Sequence, residues 1–397
     1  LDQKRRPFEA LFRLQVRSGR TEAALATVER AQARTFLDAF LHASSSAEAA
    51  PGKTWSSVSL ERIEGLESLL PAMSESPVAS LQPIGQVLDA FGDRHGLVYF
   101  EADGDLWLLT VADSQVRLHP PVPAEEVRRL GGRFLAHPED PRIAGRLGEM
   151  LLPPGSLPEK GTAIHLVADS IVGNLPFAAL RREGRHLVED HPVLFVPSLN
   201  ALAALESRSG EAPGPPLIFA DPRGDLPGAA LEGREVAKRL GGAALLAQRA
   251  VSGELKRASR ARVLHLATHS GLGPRGAWLQ LADREVSASE IVAGRIGPRL
   301  AVLASCSSGA RPGGQMWGSP GAAFLAAGSR AVLASLWSVE DEPARSFVLR
   351  FYAEGGASDP AGALARTQRV AIRQGLSPQH WAPFVLFGSG RPLDEVH

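Results

Sequence analysis

Thiols are nearly missing from this chain: Cys306 is the one cysteine among 397 residues. A lone thiol forms no internal disulfide, so it is either buried filler or a nucleophile. A dominant charge is missing as well. The 43 Lys and Arg offset the 43 Asp and Glu, leaving no overall field to draw the chain to nucleic acid or to an anionic membrane. No apolar run approaches the roughly 20 residues of a bilayer span. The basic start, Leu-Asp-Gln-Lys-Arg-Arg, has no apolar h-region behind it. The expectation is a cytoplasmic protein with neither nucleic acid nor membrane as partner. No Cys/His cluster has zinc spacing, and neither Gly-x-x-x-x-Gly-Lys-Ser/Thr nor a strand-linked Gly-x-Gly-x-x-Gly occurs. No metal or other cofactor is implied. The first residue is Leu1, not Met, which leads us to expect that N-terminal sequence is missing. What is present, 44% hydrophobic residues, is enough for ordinary globular cores in two or three domains.

Residues 21–42 place Leu25, Val28, Ala31, Phe36, Leu37 and Phe40 at three- and four-residue spacings between Glu, Arg and Gln, which predicts an amphipathic helix. Its Ala-rich texture resembles the closing helix of a tetratricopeptide (TPR) array, where each helix pair buries its apolar face against a neighbour. Residues 43–58, rich in Ser, Ala and Gly with Pro51, read as a loop and a boundary. Short β-like runs follow at 96–101, 106–111 and 116–119, with Asp103-Gly104 as a tight hairpin turn. A helix is predicted over 124–137 and a strand over 163–167. The Pro/Gly-rich piece at 210–216 punctuates the chain again. Beyond it, apolar runs at 217–220, 263–267, 300–304 and 331–336 alternate with helical stretches. Runs that are apolar throughout, with helices between them, imply parallel strands covered on both faces.

In such a sheet, ligands gather just beyond the carboxyl ends of the strands. Val263-Leu-His-Leu-Ala267 is followed by Thr268 and His269, and Leu300-Ala-Val-Leu-Ala304 by Ser305 and Cys306. The stretch between them has room for one crossover helix, so the two strands can be neighbours. A thiol beside an imidazole forms thiolate more readily, and the imidazole can later protonate a leaving amine. The main-chain N–H groups of Ser270 and Cys306 are candidate oxyanion donors. Gly271 and Gly309 would let both loops approach a substrate backbone. Taken alone, either residue is more often packing than chemistry; together, at two strand ends, they point to nucleophilic catalysis. His265, inside its strand, reads as structural and hydrogen-bonded beneath the site.

Five ordered segments carry a resemblance: Val263-Leu-His-Leu-Ala-Thr-His-Ser-Gly271, Leu300-Ala-Val-Leu-Ala-Ser-Cys-Ser-Ser-Gly309, Gly318-Ser-Pro-Gly-Ala-Ala-Phe-Leu-Ala-Ala-Gly328, Val332-Leu-Ala-Ser-Leu-Trp-Ser-Val-Glu-Asp341 and Trp381-Ala-Pro-Phe-Val-Leu-Phe-Gly388. They resemble successive motifs of the CHAT family, caspase-like and separase-like cysteine peptidases often fused behind TPR repeats. Upstream, Leu166-Val-Ala-Asp-Ser-Ile-Val-Gly-Asn-Leu-Pro-Phe-Ala-Ala-Leu180 and Val196-Pro-Ser-Leu199 resemble the amino-terminal half of the same domain. The resemblance runs over about residues 81–392. It implies a caspase-like α/β/α sandwich with a mostly parallel sheet, preceded by a short α-helical, TPR-like N-terminal segment. The implied division is 1–58 for the helical segment, 59–215 for the N-terminal (pseudo-caspase) half and 216–397 for the catalytic half.

The resemblance further implies His269 as general base and acid, Cys306 as nucleophile, a protein substrate, and a regulatory partner recruited through missing TPR repeats. Ser270 stands where many relatives carry Gly, a small departure unless that position needs φ > 0. In separase-like relatives, the position matching Asp341 pairs with a basic P1 side chain, through bonds of the kind a carboxylate makes with Arg. The competing reading of Ser338-Val-Glu-Asp341 is a helix cap. Trp317 and Trp337 are candidates for the cleft or the core, and Gly313-Gly314 for a mobile loop. Relatives of this type occur in bacterial defence assemblies, some cleaving gasdermin-like pore formers. A noncatalytic scaffold and an acyltransferase using the same dyad are the competing functions.

Overall fold

The computed structural model describes residues 2–32, 81–168, 170–206, 214–273, 276–305, 308–309 and 319–393. Eleven strands form the body of one sheet: β1 (His95–Ala102), β2 (Asp105–Ala112), β3 (Gln115–Leu118), β4 (Ile164–Val167), β5 (Val193–Phe195), β6 (Leu217–Ala220), β7 (Ala244–Leu246), β8 (Val263–Ala267), β9 (Leu300–Leu303), β10 (Ala331–Ser335) and β11 (Phe384–Gly388). Across the sheet they run β7-β6-β8-β9-β10-β11-β5-β4-β1-β2-β3, and the two-residue strand Val122–Pro123 pairs with β2 to complete 12 strands. Every strand from β6 onward lies on one side of β5, and every earlier strand on the other.

Residue type explains most of this. Strands β8, β9, β10 and β11 are buried at every position, as their largely apolar runs predict for a sheet with both faces covered. The pairs β6/β8, β8/β9 and β9/β10 are parallel. Helices Pro227–Leu240 and Pro320–Ala326 lie in the crossovers. The β1–β2 hairpin turns on Asp103 at φ 58° and Gly104 at φ 82°, two left-handed residues matching the twist of the strands they join. The predicted helix over 124–137 is observed as Ala124–Ala136. Two short strands, β5 and β7, carry no sequence periodicity and emerge only from the pairing.

Among the described residues, helix is observed over 21–32; 33–42 and the expected loop at 43–58 lie outside them. A second helix, Asp2–Arg17, precedes it. The two are joined side to side by the Thr27 hydroxyl, which donates to Gln15 Oε1 at 2.8 Å. Their buried apolar side chains meet the sheet. Phe12, Leu25 and Val28 pack with Val98, Phe100 and Leu109, and the Phe12 ring lies 5.0 Å from that of Phe100. The pair therefore covers the face of β1 and β2 that Leu97, Tyr99, Leu106 and Leu108, in the main core, do not supply. Glu29, buried in this contact, accepts the N–H groups of Leu199 at 3.0 Å and Asn200 at 2.9 Å, capping helix Leu199–Glu206. Among the described residues no helix is long and apolar enough to cross a membrane.

His165 in β4 shows how burial makes this fold sensitive to acid. Burial first, then the nearby Arg94 guanidinium, push the imidazole down to about 4. The unfolded chain binds a proton at this residue near pH 6.5 and the folded chain near pH 4, so stability falls as pH drops through that window. Full stability is present above it. Neutral His165→Gln should flatten the dependence: between pH 7 and pH 4.5 the wild type should lose about 2–3 kcal/mol more than the variant, read by urea denaturation at each pH. Equal losses would show that His165 is not the sensor.

Candidate active site

The site begins with one pairing. In the β8/β9 ladder Val263 stands opposite Leu300 and Leu266 opposite Leu303, and Ala304 N–H donates to Leu266 O at 2.9 Å. Both strands therefore end at the same sheet edge, β8 running on into Thr268 and His269 and β9 into Ala304 and Ser305. Strands 263–267 and 300–303 are neighbours, as the crossover length allows.

His269 is fixed by its own backbone. Thr268 Oγ1 donates to Gln280 O at 2.6 Å, and Gln280 N–H donates to His269 O at 2.9 Å. Gln280 ends the middle strand of a small antiparallel sheet, Ser270–Gly273, Gly276–Gln280 and Glu285–Ser287. The imidazole Nε2 lies 3.1 Å from Asp225 Oδ1, with both side chains about half exposed. Ser270 is not among the residues with positive φ, so serine fits there without strain.

Cys306 and Ser307 lie outside the described residues, as do Gly313-Gly314 and Trp317. The nearest described residues, Ser305 before the thiol and Ser308 and Gly309 after it, are tied to β9 and β10. Ser335 Oγ donates to Ser305 O at 3.1 Å and Ser308 Oγ to Leu303 O at 3.1 Å. Gly309 N–H donates to Ser335 O at 2.8 Å. A Cβ at Gly309 would stand 3.1 Å from the Phe387 ring, and one at Gly271 2.6 Å from the Trp278 ring. Packing thus calls for glycine at 271 and disfavours a side chain at 309.

A cavity of about 170 Å³ opens between these strand ends and two helices. Thr268, His269, Ser270, Ala304 and Ser305 line it from the sheet, and Phe384 from β11. Helix Pro227–Leu240 adds Ala229 and Glu232; helix Asp341–Ala353 adds Asp341, Ala344 and Val348. Asp341 is the first residue of its helix, but the N-cap is Glu340, which makes no side-chain cap bond. The capping box is absent, and Asp341 has no hydrogen-bond or ion-pair partner among the described residues. Its charge still favours the helix start. Trp337 is not a lining residue; it donates to Gln379 O at 3.2 Å and packs on the core.

Beneath the cavity, His265 is fully buried. Its Nδ1 is 3.2 Å from the Tyr352 hydroxyl, and its Nε2 is 3.0 Å from Glu232 Oε1, close but off the line of a hydrogen bond. Burial drives the Tyr352 hydroxyl well above its ordinary range, so it stays protonated. The expectation that His265 is structural and lies below the site holds.

The CHAT domain model matches residues 141–389, more than half of the chain. The chain belongs to the CHAT family. Its fold is similar to that of Saccharomyces cerevisiae separase in two structures of the separase–securin complex, at 3.0 and 2.6 Å resolution, with TM-scores of 0.62 and 0.60 and 11% identity. Each match covers 94% of this chain and 34% of separase, so this CHAT chain spans about a third of that protein's length. No curated protein matches it. The mixed α/β architecture with a mostly parallel sheet is the caspase-like one that the motifs implied.

Three site residues of this CHAT chain were not singled out by its sequence: Asp225, Glu232 and Ser335. Asp225 lies at the β6 end, where Asp221-Pro-Arg-Gly-Asp225 is a turn-rich run at a third strand end. Glu232 is hidden in an ordinary helix. Ser335 is one serine among many. Its role is testable. Ser335→Ala removes the bond to Ser305 O and should destabilise the protein by about 1 kcal/mol, read by urea denaturation; an unchanged midpoint would mean that the turn is held by other contacts.

Proposed function

We propose that this chain is a cysteine endopeptidase acting through His269 and Cys306. The observation that carries the proposal is the β8/β9 register, which brings the His269 turn and the described flanks of Cys306 to one edge of the sheet, around one cavity. In this reading, His269 takes the proton of the Cys306 thiol, and the thiolate attacks a peptide carbonyl carbon. The main-chain N–H groups of Ser270 and Cys306 receive the oxyanion. The C–N bond then breaks as His269 returns the proton to the leaving amine, leaving a thioester. Water, deprotonated by His269, attacks the thioester and releases the acid and the thiol.

The substrate we propose is a protein with Arg or Lys at P1. Support comes from the cavity itself, whose lining holds two carboxylates, Asp341 and Glu232, with apolar walls and no Lys or Arg. A long basic side chain lays its methylenes on such walls and its charge on the carboxylates. A gasdermin-like pore former in bacterial defence belongs to the same proposal as one candidate protein, and a scaffold role is its competitor.

Two measurements test this. Cys306→Ala should abolish cleavage of a peptide library, a fall of about 10³-fold or more, with the fold intact by circular dichroism; retained proteolysis by the purified variant would overturn the proposal. Asp341→Ala should reduce preference for Arg over a neutral P1 residue by about 10- to 100-fold, the worth of a hydrogen bond to a charged group. Identical profiles would leave Asp341 with only its favourable place at the helix start.

A further inference from the structure

We infer that Asp225 is a positioning residue for His269, fixing which ring nitrogen carries the proton and which is left for the thiol. The inference rests on the reading of His269 as the base, and adds a third side chain to it.

A carboxylate only accepts hydrogen bonds. At 3.1 Å from Asp225 Oδ1, His269 Nε2 must therefore carry the hydrogen and donate it. The neutral imidazole then has its lone pair on Nδ1. Nδ1 is the nitrogen that can take a proton from a thiol, and the ring cannot rotate to exchange the two without losing the contact. Asp225 is suited to this because its loop is itself held in place. Asp221, at the end of β6, is buried and left-handed at φ 47°, a conformation in which Asp is enriched but still uncommon. Its carboxylate accepts Leu226 N–H at 2.8 Å, and its own N–H donates to Ala267 O at 2.9 Å. The loop carrying Asp225 is thus tied to the last residue of β8, two residues before His269. Arg223 Nε, 3.8 Å from Oδ2, approaches the other carboxylate oxygen and leaves Oδ1 to the imidazole.

The contact adds little to folding. Both side chains are about half exposed, and such pairs are worth roughly 0–1 kcal/mol. A pair of that kind, on a loop with a left-handed residue at its base, is placed for geometry.

The test uses the full chain with Asp225→Ala and Asp225→Glu. Asp225→Ala should lower kcat by about 10- to 100-fold, a part of what general acid–base catalysis supplies, with KM and melting temperature unchanged. Asp225→Glu should restore most of the loss. Independently, two-bond ¹H–¹⁵N spectra of His269 should show the Nε2–H tautomer in the wild type and a mixture in Asp225→Ala. That readout separates the two ideas. A chain that cleaves nothing but shows the ordered tautomer, lost in Asp225→Ala, would overturn the peptidase proposal and keep the positioning role. An active peptidase whose kcat and ring spectrum both ignore Asp225→Ala would overturn the positioning role alone.

Discussion

Between Leu264 and Leu266 of β8, an imidazole with no exposure to water faces two helices at once. His265 meets Tyr352 of helix Asp341–Ala353 through Nδ1 and approaches Glu232 of helix Pro227–Leu240 through Nε2. A polar side chain in an otherwise apolar central strand is tolerated only where partners wait for it, and a one-residue slip would turn it to the opposite face. His265 therefore does for register what its leucine neighbours do for burial. The same two helices supply Glu232, Asp341, Ala344 and Val348 to the cavity, so the contact that sets the strand also sets the cavity walls. Once β8 is in place, its hydrogen bonds to β6 and β9 determine where the turns carrying Asp225, His269 and Ser305 leave the sheet.

The last strand closes the arrangement. β11 runs antiparallel to β10 and parallel to β5, so it joins strands that lie more than 130 residues apart in the chain. Gln368, buried in helix Pro360–Arg373, steadies the approach to it by donating to Trp381 O at 3.3 Å and Phe384 O at 3.1 Å. Phe384 is stacked on Phe347 with ring centroids 4.0 Å apart, and it lines the cavity as well. The seam that unites the sheet and one wall of the site are thus the same residues.

These couplings explain what could be read in advance. The buried parallel strands were legible because both faces are covered, so their runs are largely apolar, with His265 as the exception in β8; the observed turns at His269 and Ser305 lie just past two such runs, as the sequence implied. The turn at Asp103-Gly104 was legible because few other pairs take two left-handed conformations. Asp225 was not, since its reach to His269 depends on the unusual backbone of Asp221 and on a hydrogen bond to Ala267 that no spacing encodes. Glu232 was not, because a lone acid in an amphipathic helix normally faces water. Gly271 and Gly309 show a related ambiguity: a glycine that admits a ligand and one that admits a Trp278 or Phe387 ring look the same in sequence.

The cavity's electrostatics follow from the same packing. Glu232 is 5% exposed, and its Oε1 has no aligned hydrogen bond. Ser305 Oγ, in the same lining, is also buried without a partner among the described residues. Unmatched buried groups of this kind cost about 1–3 kcal/mol each, more when charged. A core built for stability alone would have replaced them with apolar side chains. Here they are kept around a space that contains no Lys or Arg, beneath an Asp341 carboxylate that makes no cap bond. In the proposed basic-P1 reading, an entering donor-rich cation would offset this cost by supplying hydrogen bonds and charge together. On the same reading a neutral side chain of equal length is a poor substitute, since it would leave the buried Glu232 unmatched.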